Sequence, residues 1–152
     1  MRIGAFLILL IICAALFSSC FLPRTGQGIY SDFFGKSIGN CVQVINSRDA
    51  RAFDDCCVWL QFKTCPAEVA RILSQAPYSM AKMNKNSMIR EYRDPSTIDE
   101  SLISSDPPKW WVIKKLGDSC LKYEYRTPGK DYIKLAYVSL DSTEVFYHDM
   151  SW

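Results

Sequence analysis

Nine residues near the middle of the chain constrain its fold more than any others. From Cys56 to Thr64, Val58, Leu60 and Phe62 fall on one side and Trp59, Gln61 and Lys63 on the other, the period of two that a pleated strand imposes. Pro66 follows almost at once, and proline suits a first helical position because the N–H it lacks would have no partner there. Val69, Ile72 and Leu73 then make one apolar stripe, with Glu68 in the first turn and Pro77 as the stop, which predicts an amphipathic helix of about three turns. A strand that passes directly into such a helix lays the helix over its own sheet.

The last third reads as three further strands. Leu121, Tyr123 and Tyr125 share one face of the run 120–126, Thr127-Pro128-Gly129-Lys130-Asp131 is turn chemistry, 132–140 is a second strand, and Asp141-Ser142 connects it to a third at 143–148. Upstream, Cys41 to Ile45 predicts a short strand closed by the turn residues Asn46-Ser47-Arg48-Asp49, with a connection through Asp54-Asp55. The expected architecture is α+β: a five-stranded, mostly antiparallel sheet in the order ββαβββ, with one main helix packed on one face. Residues 79–108 fit no element cleanly: Met83, Met88, Ile89 and Tyr92 suggest a helical stripe that Asn84-Lys85-Asn86-Ser87 interrupts. A long irregular stretch is unusual inside a compact domain.

The start of the chain does not belong to this fold. Arg2 precedes an apolar run from Ile3 to Phe17 without a charge, closed by Ser18-Ser19-Cys20, the layout of an export signal. At 1.5 Å per residue the run spans about 22 Å, short of a hydrocarbon core of about 30 Å. The residues Leu16-Phe17-Ser18-Ser19-Cys20 resemble the lipobox of bacterial lipoproteins. That resemblance implies cleavage before Cys20, a diacylglyceryl thioether on its sulfur, and usually a further acyl chain such as palmitate on the new amino terminus. Several chains anchor where one holds only marginally, because each buried CH₂ contributes about 0.8 kcal/mol. Phe17 stands where the family usually has Leu; ordinary secretion with cleavage after Cys20, or an uncleaved anchor, are the alternatives. Phe21 is not the Asp that the family associates with inner-membrane retention, so in a Gram-negative cell the resemblance implies the outer membrane, facing the periplasm. The expected division is 1–19 signal peptide, 20–29 flexible tether, and 30–152 a single globular domain.

Short pieces of the mature part also resemble a loose group of small bacterial envelope lipoproteins: Gly35-Lys36-Ser37-Ile38-Gly39-Asn40, Phe62-Lys63-Thr64-Cys65-Pro66-Ala67-Glu68-Val69, and Pro108-Lys109-Trp110-Trp111. This likeness implies an α+β domain and no mechanism.

Seven cysteines and an oxidising compartment point to disulfides. With Cys13 in the leader and Cys20 as the lipid site, Cys41, Cys56, Cys57, Cys65 and Cys120 remain. Two bridges among five thiols allow about fifteen connectivities, which sequence does not resolve. Adjacent Cys56 and Cys57 do not readily bond to each other, since neighbouring strand residues face opposite ways. No pair of C-x₂₋₄-C motifs is present, so no zinc site is expected, and nothing in the sequence calls for a cofactor. A formal net charge of +2 gives no reason to expect nucleic acid as a partner.

Catalytic readings are thin. Gly117-Asp118-Ser119-Cys120 superficially resembles a serine esterase motif, and Cys120 or Ser119 with His148, the one histidine, is the hydrolase alternative. The chain after Ser119 is too short for the α/β domain such enzymes use, and no catalytic residue is assigned. The better candidates are for binding. Trp110 and Trp111 lie among Lys109, Lys114 and Lys115, a mixture suited to anionic glycans, peptides or lipid head groups. Trp59, with Tyr132 or Tyr137, makes a docking patch if its face is open. The expected function is a membrane-anchored envelope protein whose domain contacts a protein or cell-wall partner, with a secreted binding or inhibitory module as the alternative.

Overall fold

The computed structural model describes residues 24–37, 40–52, 55–88, 107–129 and 132–151. The leader, Cys20 and residues 89–106 therefore lie outside the described residues, as does the side chain of Cys56. The described chain is an α+β fold built on an antiparallel sheet of six strands: β1 (Gln43–Ala52), β2 (Asp55–Lys63), β3 (Ser79–Asn84), β4 (Ser119–Arg126), β5 (Tyr132–Ser139) and β6 (Glu144–Ser151), in the order β1-β2-β6-β5-β4-β3. The C-terminal meander is as expected. The expected count of five is one short, because β3 pairs with β4 from Ser79↔Glu124 to Asn84↔Ser119. Its sequence, Ser-Met-Ala-Lys-Met-Asn, has no β-branched residue and buries only Met83, so its pairing comes from its neighbour and not from its own pattern.

β1 departs from expectation too. It continues through Asn46-Ser47-Arg48-Asp49 in register with β2, from Asn46↔Gln61 to Ala52↔Asp55. The shift between Val44 and Asn46 leaves Ile45 as an extra residue, 41% exposed, as a bulge at a sheet edge does. β1 is an edge strand, and its polar Asn46 is taken up by the sheet, donating to Gln61 on β2 at 2.7 Å.

Residues 26–29, expected to be flexible tether, are helical. Helix α1 (Gly26–Phe34) begins at Thr25, whose Oγ1 accepts from the Gly28 N–H at 3.1 Å, satisfying a donor that the first turn otherwise leaves open. Gly35, at φ +73°, ends the helix in a conformation that favours glycine. Ile29, Tyr30, Phe33 and Phe34 form the inward stripe. Gly26 is fixed by packing: a Cβ there would stand 2.7 Å from Val44 Cγ1.

Helix α2 (Pro66–Leu73) begins at Pro66 as the sequence predicts, and Val69 and Ile72 pack on the sheet. Both helices cover one face, where Val58, Leu60 and Phe62 meet Ala136, Val138, Val145 and Tyr147. Phe34 lies centrally, its ring 4.6 Å from Tyr147 and 5.9 Å from Phe62, centroid to centroid. The other face is covered by Met88, Trp111 and a 3₁₀ turn, η1 (Ile113–Leu116). Cys41 and Cys65 are joined in a disulfide that ties the approach to β1 to the cap of α2.

The sheet has two ends. One carries Gln43, Lys63, Glu144 and Ser119, with the β5–β6 turn held to the exit of β2 by Thr64 N–H donating to Thr143 O at 2.9 Å. The other carries the β4–β5 turn around Pro128 and Gly129. Because Gly26 packs on Val44, close to the start of β1, and on Ser47, the chain enters the domain nearer the first end than the second.

Candidate functional site

Of the residues singled out for binding and catalysis, Trp59, Trp111, Tyr137 and His148 meet on the face of the sheet opposite the helices. Trp59 on β2 and His148 on β6 are directly paired, so both rings project to the same side and stack at 3.5 Å between centroids and 16° between planes. Trp111 closes over them edge-on, 4.7 Å from Trp59 and 5.3 Å from Phe146. Trp59 is 7% exposed, Trp111 3% and Tyr137 4%. The docking patch expected from Trp59 with Tyr137 is therefore interior, and so is Trp111 of the Trp110-Trp111 pair: the segment leading into η1 folds back over that face and uses Trp111 as its anchor. Tyr132 lies on the opposite face from Trp59, its hydroxyl bonded to Asp149.

His148 is held in one orientation. Its Nδ1–H donates to the Val58 carbonyl at 3.0 Å, which turns the Nε2 lone pair towards Cys57 Sγ at 3.9 Å. Burial lowers the imidazole pKa to about 4, the backbone bond opposing that fall only in part, so the ring is neutral at pH 7. A thiol, a base and an orienting carbonyl have the composition of a nucleophile pair. The chemistry is the reverse of activation, however: a base with a pKa of about 4 draws little on an ordinary thiol near 8.5, and both groups are buried.

Cys120 is not near His148. It is level with Ser139, whereas His148 is level with Leu135; four residues along β5 and two strand spacings put the pair roughly 16 Å apart. Cys120 Sγ instead lies 3.5 Å from Met88 Sδ. Ser119 begins β4 next to β3. Asp141 is taken up by the β5–β6 turn, where bonds from the Ser139 and Thr143 hydroxyls lower its pKa. Sequence reasoning missed Cys57 as the thiol beside His148, although it lies two residues before Trp59 on the same strand face.

A second buried polar cluster lies under the helices. Glu68 accepts from Tyr30 Oη and, at 2.9 and 2.6 Å, from Arg71 Nε and Nη2; Arg71 Nη1 also donates to the Phe34 carbonyl at 2.7 Å. Burial first, and the Glu68 carboxylate second, raise Tyr30 well above the usual phenol range. The sequence showed Glu68 only as a first-turn acid; the structure makes it the fully buried link between α1 and α2. On the same face Asp149 Oδ2 accepts from Tyr147 at 2.7 Å and Tyr132 at 2.9 Å. Burial, with the Asp149 charge next, pushes Tyr78 up to about 12. Only the Tyr147-x-Asp149 spacing on one strand hinted at this group.

Two features remain at the surface. Trp110 is half-buried, and its sequence neighbours Lys109, Lys114 and Lys115 are exposed and in no ion pair with a described residue. At the bulged edge of β1 a cleft of about 370 Å³ is lined by Gly26, Gln27 and residues 42–47. Among the described residues no group of His, Cys, Asp and Glu is arranged to hold a metal, and no helix is long and apolar enough to cross a membrane. In comparisons with known proteins, no family model, curated protein or solved structure matches the chain.

Proposed function

We propose that the chain is a bacterial lipoprotein, anchored through acylated Cys20, whose domain acts as a non-enzymatic binding module in the cell envelope. The observation that carries this reading is the Cys41–Cys65 disulfide, which fits the oxidising compartment implied by the leader. The capped start of α1 at Thr25, five residues beyond Cys20, supports a domain held close to its anchor. His148 and Cys57, the groups with the composition of a nucleophile pair, are neutral or buried within the packing, which favours binding over catalysis. For a protein or cell-wall partner, the best contact surface is half-buried Trp110 with exposed Lys109; an anionic surface complements them.

Metabolic labelling with radioactive palmitate tests the anchor. Label on the wild-type chain and none on Cys20→Ala is the expected result. An unlabelled wild-type chain recovered in the soluble fraction would instead favour the secreted binding module.

A further inference from the structure

The geometry points to a bilayer-facing surface at one end of the sheet, the end formed by the β5–β6 turn, with Leu140 seated in the interfacial layer of the membrane. This rests on the lipid anchor proposed above. From Cys20 to Thr25 is five residues, which span at most about 17 Å when fully extended. Thr25 caps α1 beside Val44, and Val44 is level with Phe62 and Val145 in the sheet. The β5–β6 turn begins only a few residues beyond Val145, so it lies at the end where the chain enters. The β4–β5 turn around Pro128 is a strand length away, roughly 27 Å, beyond what the short connection allows if that end is to touch the bilayer.

The near end has the surface chemistry for such a contact. Leu140 is 55% exposed at the tip of the turn, where polar residues are the rule. The turn that presents it is rigid: Ser142 takes φ 57°, its N–H donates to Ser139 O at 2.9 Å, and Asp141 Oδ1 accepts from Ser139 Oγ at 2.6 Å and Thr143 Oγ1 at 2.8 Å. Exposed lysines share this end with the exposed carboxylates of Asp118 and Asp141. Lys63 closes the β2–β6 ladder opposite Glu144, and Lys114 and Lys115 belong to η1, which runs through Asp118 into the first residue of β4. An apolar tip with ammonium groups to the side suits phospholipid: the leucine enters the boundary between head groups and acyl chains while lysines meet phosphates.

The test places an environment-sensitive fluorescent amino acid at residue 140 or, separately, at residue 128, in full-length acylated protein reconstituted in phosphatidylethanolamine–phosphatidylglycerol vesicles carrying a head-group nitroxide. Both positions are exposed, so neither label disturbs the core. The expected result is a blue-shifted emission and severalfold stronger quenching at 140 than at 128, both effects vanishing without vesicles. Acylated protein with equal quenching at the two positions, stronger quenching at 128, or none at 140 overturns the orientation while leaving the anchor intact; the last would leave that end free for a protein partner. Protein whose Cys20 carries no lipid by mass overturns the anchor and the orientation together.

Discussion

Acid should destabilise this domain through His148, and the loss can be worked from the structure. The imidazole is stacked on Trp59, capped by Trp111 and held by the Val58 carbonyl, and at 3% exposure it is removed from the bulk solvent that would stabilise a cation. Burial therefore lowers its pKa from the ordinary 6.5 to about 4. Between those values the unfolded chain binds a proton that the folded chain refuses. The contribution of His148 is thus complete above pH 6.5 and falls away as the pH drops towards 4. At about 1.4 kcal/mol per pH unit, about 3 kcal/mol is lost by pH 4, a large share of the 5–15 kcal/mol typical of a small domain. The assay is equilibrium urea unfolding of wild type and His148→Gln at pH 7 and pH 4, followed by tryptophan fluorescence with the disulfide intact. Other titrating groups act on both proteins alike, so the wild-type advantage over the variant should shrink by about 3 kcal/mol between the two pH values. An advantage that stays constant would refute the claim that the ring is kept neutral by burial.

Other perturbations probe the remaining buried groups. Glu68→Gln removes the charge that Arg71 and Tyr30 share and should cost about 3–5 kcal/mol in unfolding free energy, whereas Tyr30→Phe removes a single bond to a charged group and should cost about 1.5–3 kcal/mol; a cost below 1 kcal/mol for both would mean that the cluster does not link the helices. Cys41→Ser with Cys65→Ser releases a cross-link between residues 24 apart and should lower stability by about 3 kcal/mol on the chain-entropy account, measured under non-reducing conditions. Phe34→Ala empties the space between Phe62 and Tyr147 and should cost about 3–5 kcal/mol.

The parts of the fold that were legible in the sequence are those whose own residues carry the pattern. Val58, Leu60 and Phe62 alternate because one face of β2 is core, and Pro66 marks the start of α2 because only the first helical turn tolerates a missing N–H. The parts that were not legible depend on partners. β3 is a strand because β4 offers an edge to pair with, not because Ser79–Asn84 prefers to be extended. β1 carries Asn46, Ser47 and Asp49 in register with β2, where Asn46 donates to Gln61 across the ladder at 2.7 Å, so residues with turn chemistry are held extended by their partner strand. α1 depends on Thr25 as a cap, a signal that the two nearby glycines outweighed in a reading by composition. The site followed the same division. The aromatic residues were visible as candidates, but whether Trp59 and Trp111 face solvent is decided by how a distant segment folds back, and the pairing of Cys57 with His148 by the register of β2 against β6.

The anchor at Cys20 carries the proposals about place and function, and intact mass spectrometry of the protein purified from native membranes tests it most directly. The expected product is a chain that begins at Cys20 and is heavier than its amino-acid sequence by a diacylglyceryl group, with or without a further acyl chain on the amino terminus. A chain that begins upstream of Cys20, or one that begins there with an unmodified thiol, would contradict it.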